Sequence, residues 1–309
     1  MIWCTVLNPT LDVVYRTNEF HSGATFLNQS HIQQPAGKGL NVAQIIVELG
    51  EAVTVIGLLP ELDEQKFRAF LDVRSIRNRF LPVAGAMRIN ATIIDEVENR
   101  TTHLNALAQK VSPRIQHEFF ELAAGEVKSG DTWIFSGSLP PGFSESTYAD
   151  FVTTVREAGG ITVLDSRGSA LQHGVRSRPL MVKPNLAELE EFFGEPVQGV
   201  HHIALKGKRL LDMGISYVFI SLGADGMIAL HGNDCLLCNA PQVTVKDTVG
   251  CGDALVAGMV VAHRRQFSFS ETCRMAVACG TAKSLEFGPG HVSRETVWQL
   301  MEDVEITSI

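Results

Sequence analysis

The chain has 309 residues, 45% of them hydrophobic and 19% charged, which is ample for a large buried core. Its formal charge of −8 and pI near 5.7 exclude a broad basic face for DNA or RNA, since neutralising a phosphate backbone takes clustered Lys and Arg. A small anionic substrate stays compatible, because a few local cations and backbone amides can hold it.

In chain order, Met1–Leu7 is apolar, short and without a basic leader, and it meets Asn8-Pro9 at once. It reads as a buried first strand, Ile2–Leu7, rather than a signal peptide. Further strand-like runs fall at Val53–Leu58, Thr132–Phe135, Ile161–Leu164, Met181–Lys183 and Tyr217–Ser221. Amphipathic helical stretches fall at Leu40–Leu49, Thr147–Ala158 and Leu186–Phe193. Such alternation predicts a mostly parallel sheet with helices on both faces. After Asp247 the pattern becomes almost wholly helical through Met301. Two segments, Asp12–Gln33 and Met87–Asn105, read as extended and are expected to form a small antiparallel lid beside the main sheet. No Pro/Gly-rich linker, low-complexity tract or repeat divides the chain. The expectation is one α/β domain over residues 1–309, with a discontinuous β lid at approximately 12–33 and 87–105. No apolar run approaches the roughly 20 residues needed to span a bilayer. The six cysteines are scattered, as fits reduced thiols in a cytoplasmic protein.

The segment Lys246-Asp-Thr-Val-Gly-Cys-Gly-Asp-Ala-Leu-Val-Ala-Gly258 carries the sharpest chemical signal. Gly250 and Gly252 flank Cys251 just before an apolar helical run, Ala254–Val261. Glycines let successive N–H groups point at one anion, and a helix N-terminus adds its positive end to the same spot. Asp253 in the first turn could then take the proton of an attacking hydroxyl while the amides hold a phosphoryl group. An ordinary helix start with Asp253 as a first-turn acid fits the segment alone equally well. Elsewhere, Gly37-Lys38-Gly39 precedes the helix of Leu40, Ile45 and Leu49, which again suits an anion; the spacing is not that of a Walker loop. Arg88 and Asn90 alternate in an extended segment and so share one face, where a guanidinium and an amide can grip a phosphate or hydroxylated ligand. Asn8-Pro-Thr-Leu-Asp12 puts Asp12 just past the first strand, as a turn acid or a ligand contact.

Taken together, Pro35-Ala-Gly-Lys-Gly-Leu-Asn-Val-Ala43, Ser136-Gly-Ser-Leu-Pro-Pro-Gly142, Lys183-Pro-Asn-Leu-Ala-Glu-Leu189, Ser221-Leu-Gly-Ala-Asp-Gly226 and Asp247-Thr-Val-Gly-Cys-Gly-Asp253 resemble, in order, the motifs of the PfkB (ribokinase-like) carbohydrate kinases. The likeness is greatest to the phosphosugar branch that includes 1-phosphofructokinase and tagatose-6-phosphate kinase. The resemblance implies a ribokinase-like three-layer α/β/α domain with a small β-sheet lid, acting as an ATP- and Mg2+-dependent kinase of a sugar phosphate. It implies Asp253 as the base, with Gly250, Cys251 and Gly252 forming the anion-binding turn. On the substrate side it implies Asp12, Gly37, Lys38, Asn41, Arg88, Asn90 and Ser138. Lys38 and Arg88 would meet the phosphate that the sugar already carries. On the ATP side it implies Lys183, Asn185, Ser221, Gly223, Gly226, Thr248, Gly250 and Gly252, with Glu188 holding magnesium through water. As plain structure, Asn185 would cap its helix and Lys38 would be a solvated loop lysine.

The sequence departs from the family pattern at Ala36, at Gln44, in the glycine-poor stretch Leu58–Glu64, and at Cys251 and Lys283. The first three lie on the sugar side and bear on which sugar is used; Lys283 is expected to alter the adenine pocket. Two other functions remain in view, a kinase of an unphosphorylated sugar or nucleoside and a non-catalytic sugar-phosphate binding module. A nicotinamide-dependent oxidoreductase would need Gly-x-Gly-x-x-Gly in the first strand–helix turn, where Asn8–Asp12 stands instead. Cys235-Leu-Leu-Cys238 lacks the second Cys or His pair of a structural zinc site, and His103, His201 and His202 are expected on lid or helix surfaces. The lid's apolar residues Val13, Phe26, Leu27, Ile32, Ile93 and Ile94 lead to the expectation of a homodimer packed lid against lid.

Overall fold

A computed structural model of the chain describes all residues except 19, 27–30 and 99. The first half contains β1 (Ile2–Val6), β2 (Thr10–Thr17), β3 (His31–Ala36), α1 (Lys38–Glu48), β4 (Val53–Pro60), α2 (Glu64–Val73), β5 (Arg77–Val83), β6 (Arg88–Asp95), β7 (Arg100–Asn105), α3 (Pro113–Glu126), β8 (Thr132–Ser136) and α4 (Thr147–Glu157). There follow β9 (Ile161–Asp165), α5 (Gly168–Arg176), β10 (Met181–Val182), α6 (Leu186–Phe193), α7 (Val200–Asp212), β11 (Tyr217–Ser221), β12 (Met227–His231) and β13 (Asp234–Asn239). The chain closes with α8 (Cys251–Arg264), α9 (Phe269–Ser284), α10 (Arg294–Asp303) and β14 (Glu305–Ser308).

Ten strands form one sheet in the order β14-β13-β12-β11-β10-β9-β8-β1-β4-β5. The pairs from β5 across to β11 are parallel, and β12, β13 and β14 add antiparallel strands at one edge. Parallel strands in mid-sheet are covered on both faces, which is why β1 and β4 are buried at every position and read as nearly continuous apolar runs, broken by Thr5 and Thr54. Side chains alternate across the sheet: Ile2, Cys4 and Val6 join the core under α1, α8 and α9, while Trp3 and Leu7 join the core under α3, α4 and α7. The result is three layers, helices on both faces of a mostly parallel sheet, as expected.

The helical reading after Asp247 holds for α8, α9 and α10, but it misses β14, whose four residues pair with β13. A short, largely exposed edge strand at the chain end has no apolar pattern to announce it. The second sheet, β3-β2-β6-β7, forms the lid, and here the expectation needs correction. Its outer pairs are antiparallel but its central pair, β2 and β6, is parallel. Parallel pairing needs a long crossover, and the chain from β3 through α1, β4, α2 and β5 supplies one through the main layer. The lid strands also reach further than 12–33, since β2 begins at Thr10 and β3 runs to Ala36.

Sheet order places the site. Strands β4 and β5 lie on one side of β1, whereas β8 to β11 lie on the other, so the order reverses at β1. Ligands of open parallel sheets bind at the carboxyl ends of the strands beside such a reversal. Among the described residues no helix is long and apolar enough to cross a membrane.

Candidate active site

The carboxyl ends of neighbouring parallel strands share one rim, so residues just past each strand form a row. Along β1, β8, β9, β10 and β11 this row reads Leu7, Ser136–Ser138, Asp165, Lys183 and Ser221. α1 and α8 start above this rim. Gly39 allows the close approach of α1, because a Cβ there would stand 1.9 Å from the Thr5 carbonyl oxygen. Gly250, at φ 85°, occupies the left-handed conformation that opens α8.

Two hollows flank the start of α8. The first is lined by Leu7, Gly37, Lys38, Arg88, Ser138, Asp165, Arg167 and Glu188. The second is more apolar, lined by Val243, Val245, Leu255 and Val277 together with Ser221, Gly223, Gly226, Thr248, Cys251 and Gly252. Asp253 stands between them: Gly252 before it lines the second hollow, and Lys38, which faces it, lines the first.

Asp253 is 4% exposed. Its Oδ2 accepts a 2.8 Å hydrogen bond from Asn41 Nδ2, and its Oδ1 lies 3.6 Å from Lys38 Nζ. Burial raises its pKa above the usual carboxylate value, opposed by the positive charge of Lys38; Asp165 adds to the rise. Lys38 also donates to Asp165 Oδ2 at 3.0 Å. Burial would pull the Lys38 ammonium down, but Asp165 and Asp253 outweigh it and the net shift is upward. Asp165 is wholly buried, accepts from Ser136 Oγ at 3.0 Å, and has Lys183 Nζ 3.1 Å from Oδ1 as an ion contact. Burial alone would raise the Asp165 pKa, yet Lys183 and Lys38 hold it down at about 2. The centre is therefore a chain of alternating charge, Lys183, Asp165, Lys38, Asp253.

The lid contributes Arg88, whose Nη1 donates to the Ala106 carbonyl at 3.0 Å while its buried Nε has no partner among the described residues. Asp12 and Asn90 are register partners on β2 and β6, and Asn90 Nδ2 donates to Asp12 Oδ1 at 3.1 Å, as does Thr10 Oγ1 at 2.8 Å. Burial raises the Asp12 pKa against these bonds. Asp12 itself lines a small hollow between the lid and Phe287–Pro289 rather than the one holding Lys38.

Most of the residues singled out in the sequence thus converge on this rim; Asp12, which faces the lid hollow, does not, and three further readings need adjustment. The Asn41 amide is engaged with Asp253 through Nδ2, and among the described residues its Oδ1 has no partner. Asn185 does cap α6: Glu188 N donates to its Oδ1 at 2.8 Å, and Asn185 N donates to Glu188 Oε2 at 2.9 Å. Glu188 nonetheless lines the first hollow. A single carboxylate with retained waters and substrate phosphates is a donor set magnesium accepts; among the described residues no cluster of three His, Cys, Asp or Glu side chains would cage an ion by itself. Third, Lys283 does not line the apolar hollow: it is fully buried beneath the Asp247 turn, donating to the Asp247 and Glu286 carbonyls. The sequence reading passed over Asp165 and Arg167. An acid closing a central apolar strand, Ile161–Asp165, is the signal that would have found the first.

Comparison with known proteins agrees with this geometry. Residues 7–296 match the pfkB family carbohydrate kinase pattern. The chain is 32% identical over 304 residues to 1-phosphofructokinase of Haemophilus influenzae, covering 98% of this chain and 97% of that one. It is 30% identical to 1-phosphofructokinase of Escherichia coli, covering 97% and 96%. The fold of phosphofructokinase-2 from Escherichia coli, in complex with substrates and products, superposes with a TM-score of 0.93 at 23% identity, covering 98% of each chain. A basic and an apolar hollow meeting at a buried aspartate, on a sheet of this order and with these matches, have one reading: the chain belongs to the pfkB family of ATP-dependent carbohydrate kinases.

Proposed function

We propose that this kinase transfers the γ-phosphoryl group of ATP to a hydroxyl of a sugar that already carries a phosphate, of the fructose-1-phosphate or tagatose-6-phosphate type. The observation that carries the reading is the position of Asp253, buried between a hollow with Lys38 and Arg88 and an apolar hollow suited to a purine base. The relatives' names as 1-phosphofructokinases support the substrate class. In this reading Arg88, with its unpartnered Nε, and Lys38 hold the existing phosphate. Ser138 holds a sugar hydroxyl in this hollow, and the bonded pair Asp12 and Asn90 meets the sugar from the lid side. ATP lies with its base against Val243 and Val277 and its phosphates toward Lys183 and Gly252.

Asp253 accepts the proton as the sugar oxygen attacks the γ-phosphorus. The bond from that phosphorus to the β,γ-bridging oxygen breaks, and ADP leaves with the electron pair. The raised pKa of Asp253 brings it closer to the working pH of a general base. The amides at the start of α8 face the charge that develops on the transferred group. Mg2+, held through water by Glu188, supplies further positive charge to the nucleotide phosphates when bound.

We further place the enzyme in the cytoplasm as a homodimer joined through the lid. Ile32, Ile89 and Leu104 are 45%, 52% and 57% exposed on its strands, while Val13 packs inward and Leu27 lies outside the described residues. Sedimentation giving a single species at the 33.7 kDa chain mass would refute the dimer. The substrate is tested by ADP release with fructose 1-phosphate, tagatose 6-phosphate, free sugars and nucleosides. Turnover confined to free sugars or nucleosides would overturn the reading.

A further inference from the structure

Lys283 is a fully buried lysine that the proposed chemistry does not use. It lies in the last turn of α9, and its ammonium points across to the turn that precedes α8. Its Nζ donates to the Glu286 carbonyl at 3.0 Å and to the Asp247 carbonyl at 3.3 Å, and it lies 3.9 Å from Asp247 Oδ2. A lysine has three donors and no acceptor, so this all-oxygen surrounding matches it completely.

The Asp247 carboxylate is itself fixed. Oδ1 accepts from Val249 N and Oδ2 from Gly288 N, each at 2.9 Å. The backbone is tied to α9 as well, because Lys246 N and Asp247 N both donate to the Ser284 carbonyl, at 2.8 and 3.2 Å. Two carbonyl oxygens and a carboxylate oxygen thus converge on one buried point. Without a positive charge there they would repel one another, and each would lose its partner. Carbonyl oxygens arranged in this way form the donor set that replaces the hydration shell of a monovalent cation. Here the chain's own ammonium fills the position. Burial lowers the Lys283 pKa below that of a free lysine, and Asp247, Cys251, Glu286 and Asp253 oppose this.

We propose that Lys283 is a tethered internal cation: its ammonium fixes the Asp247–Gly250 turn, and with it the N-terminus of α8, so the enzyme needs no dissociable monovalent cation at this point. Lys283 is a positioning residue. It touches neither hollow and acts through the turn that ends at Gly250, three residues before Asp253. The role in turnover rests on the kinase reading; the cation site does not.

The test compares wild type, Lys283→Met and Lys283→Ser in KCl and in choline chloride at matched ionic strength. Wild-type turnover should be equal in the two salts. Lys283→Met should lower kcat by about 10–100-fold, as expected when a site group is displaced by about 1 Å, with little change in either KM. Lys283→Ser should be similarly impaired in choline and regain activity in KCl, which a purely structural lysine would not produce. Melting temperatures give a readout independent of substrate: KCl over choline should stabilise Lys283→Ser and not wild type, since a ligand that binds only the folded state raises Tm. A wild type stimulated severalfold by potassium, or a Lys283→Met enzyme with normal kcat, would overturn the proposal. So would a folded Lys283→Ser enzyme whose melting temperature is indifferent to KCl. Absence of wild-type turnover with every phosphosugar would count against the substrate reading alone, and the melting comparison would still decide the cation site.

Discussion

Replacing Asp165 by Asn removes the negative charge between two lysines without changing the side chain's shape. Asp165 is wholly buried and Lys183 is 2% exposed, so solvent cannot replace the partner that Lys183 loses, whereas the half-exposed Lys38 keeps some water. The depressed pKa gives one measure of its value. A carboxyl that falls from the ordinary 3.8 to about 2 on folding contributes about 2 kcal/mol at neutral pH, at 1.36 kcal/mol per tenfold change in proton affinity. Breaking a buried pair by removing one partner gives another, about 3–5 kcal/mol, because the remaining charge is stranded. The amide keeps an acceptor for Ser136 Oγ or Lys38, which places the expected loss near the lower figure, about 3 kcal/mol. The assay is equilibrium urea unfolding at pH 7, followed by the fluorescence of the buried Trp3 and Trp133. The sign of the pH dependence also follows. The folded pKa lies below the unfolded one, so the stabilisation is fully present above pH 3.8 and is lost as pH falls through about 2. The gap between the two proteins should therefore stay the same from pH 7 down to about pH 5. A gap below about 1 kcal/mol at pH 7 would refute the view that Asp165 holds the two lysines together.

Asp253→Asn should lower kcat by about 10²–10⁴-fold, the range for a general base, while nucleotide binding measured by calorimetry persists; near-normal turnover would remove Asp253 from the chemistry. Arg88→Ala should cost about 1.5–3 kcal/mol in kcat/KM for the phosphosugar through KM, with the KM for ATP little changed; equal effects on both substrates would make Arg88 a support of the lid instead. Lys38→Met removes the charge that holds the Asp253 pKa down, so the acidic limb of the kcat profile should move to higher pH. An unmoved limb in that variant would show that Lys38 does not tune the base.

Much of this architecture was legible along the chain because its causes are local. A strand buried on both faces is largely apolar along its length, and β1, β4 and β11 announce themselves for that reason. The Asn185 cap and the Gly250 turn depend on neighbours within a few residues. The family motifs are legible for the same reason, being short segments whose backbone shape is set by their own glycines. What the tertiary structure alone decided involves residues far apart in sequence. Lys38 meets Asp165 across 127 positions, and Asn41 meets Asp253 across 212. The local pattern marks Asp165 as an acid closing a buried strand, but it does not show that the acid binds two lysines brought from other segments. The lid shows the same division: extended segments are evident from composition, but the parallel pairing of β2 with β6 depends on where the main layer returns the chain. Lys283 is the sharpest case, since a lysine in the last turn of a helix ordinarily reaches solvent beside the helix's negative end. Only the packing of α9 against the Asp247 turn turns its charge inward, where the carbonyl oxygens of two separate segments replace its water.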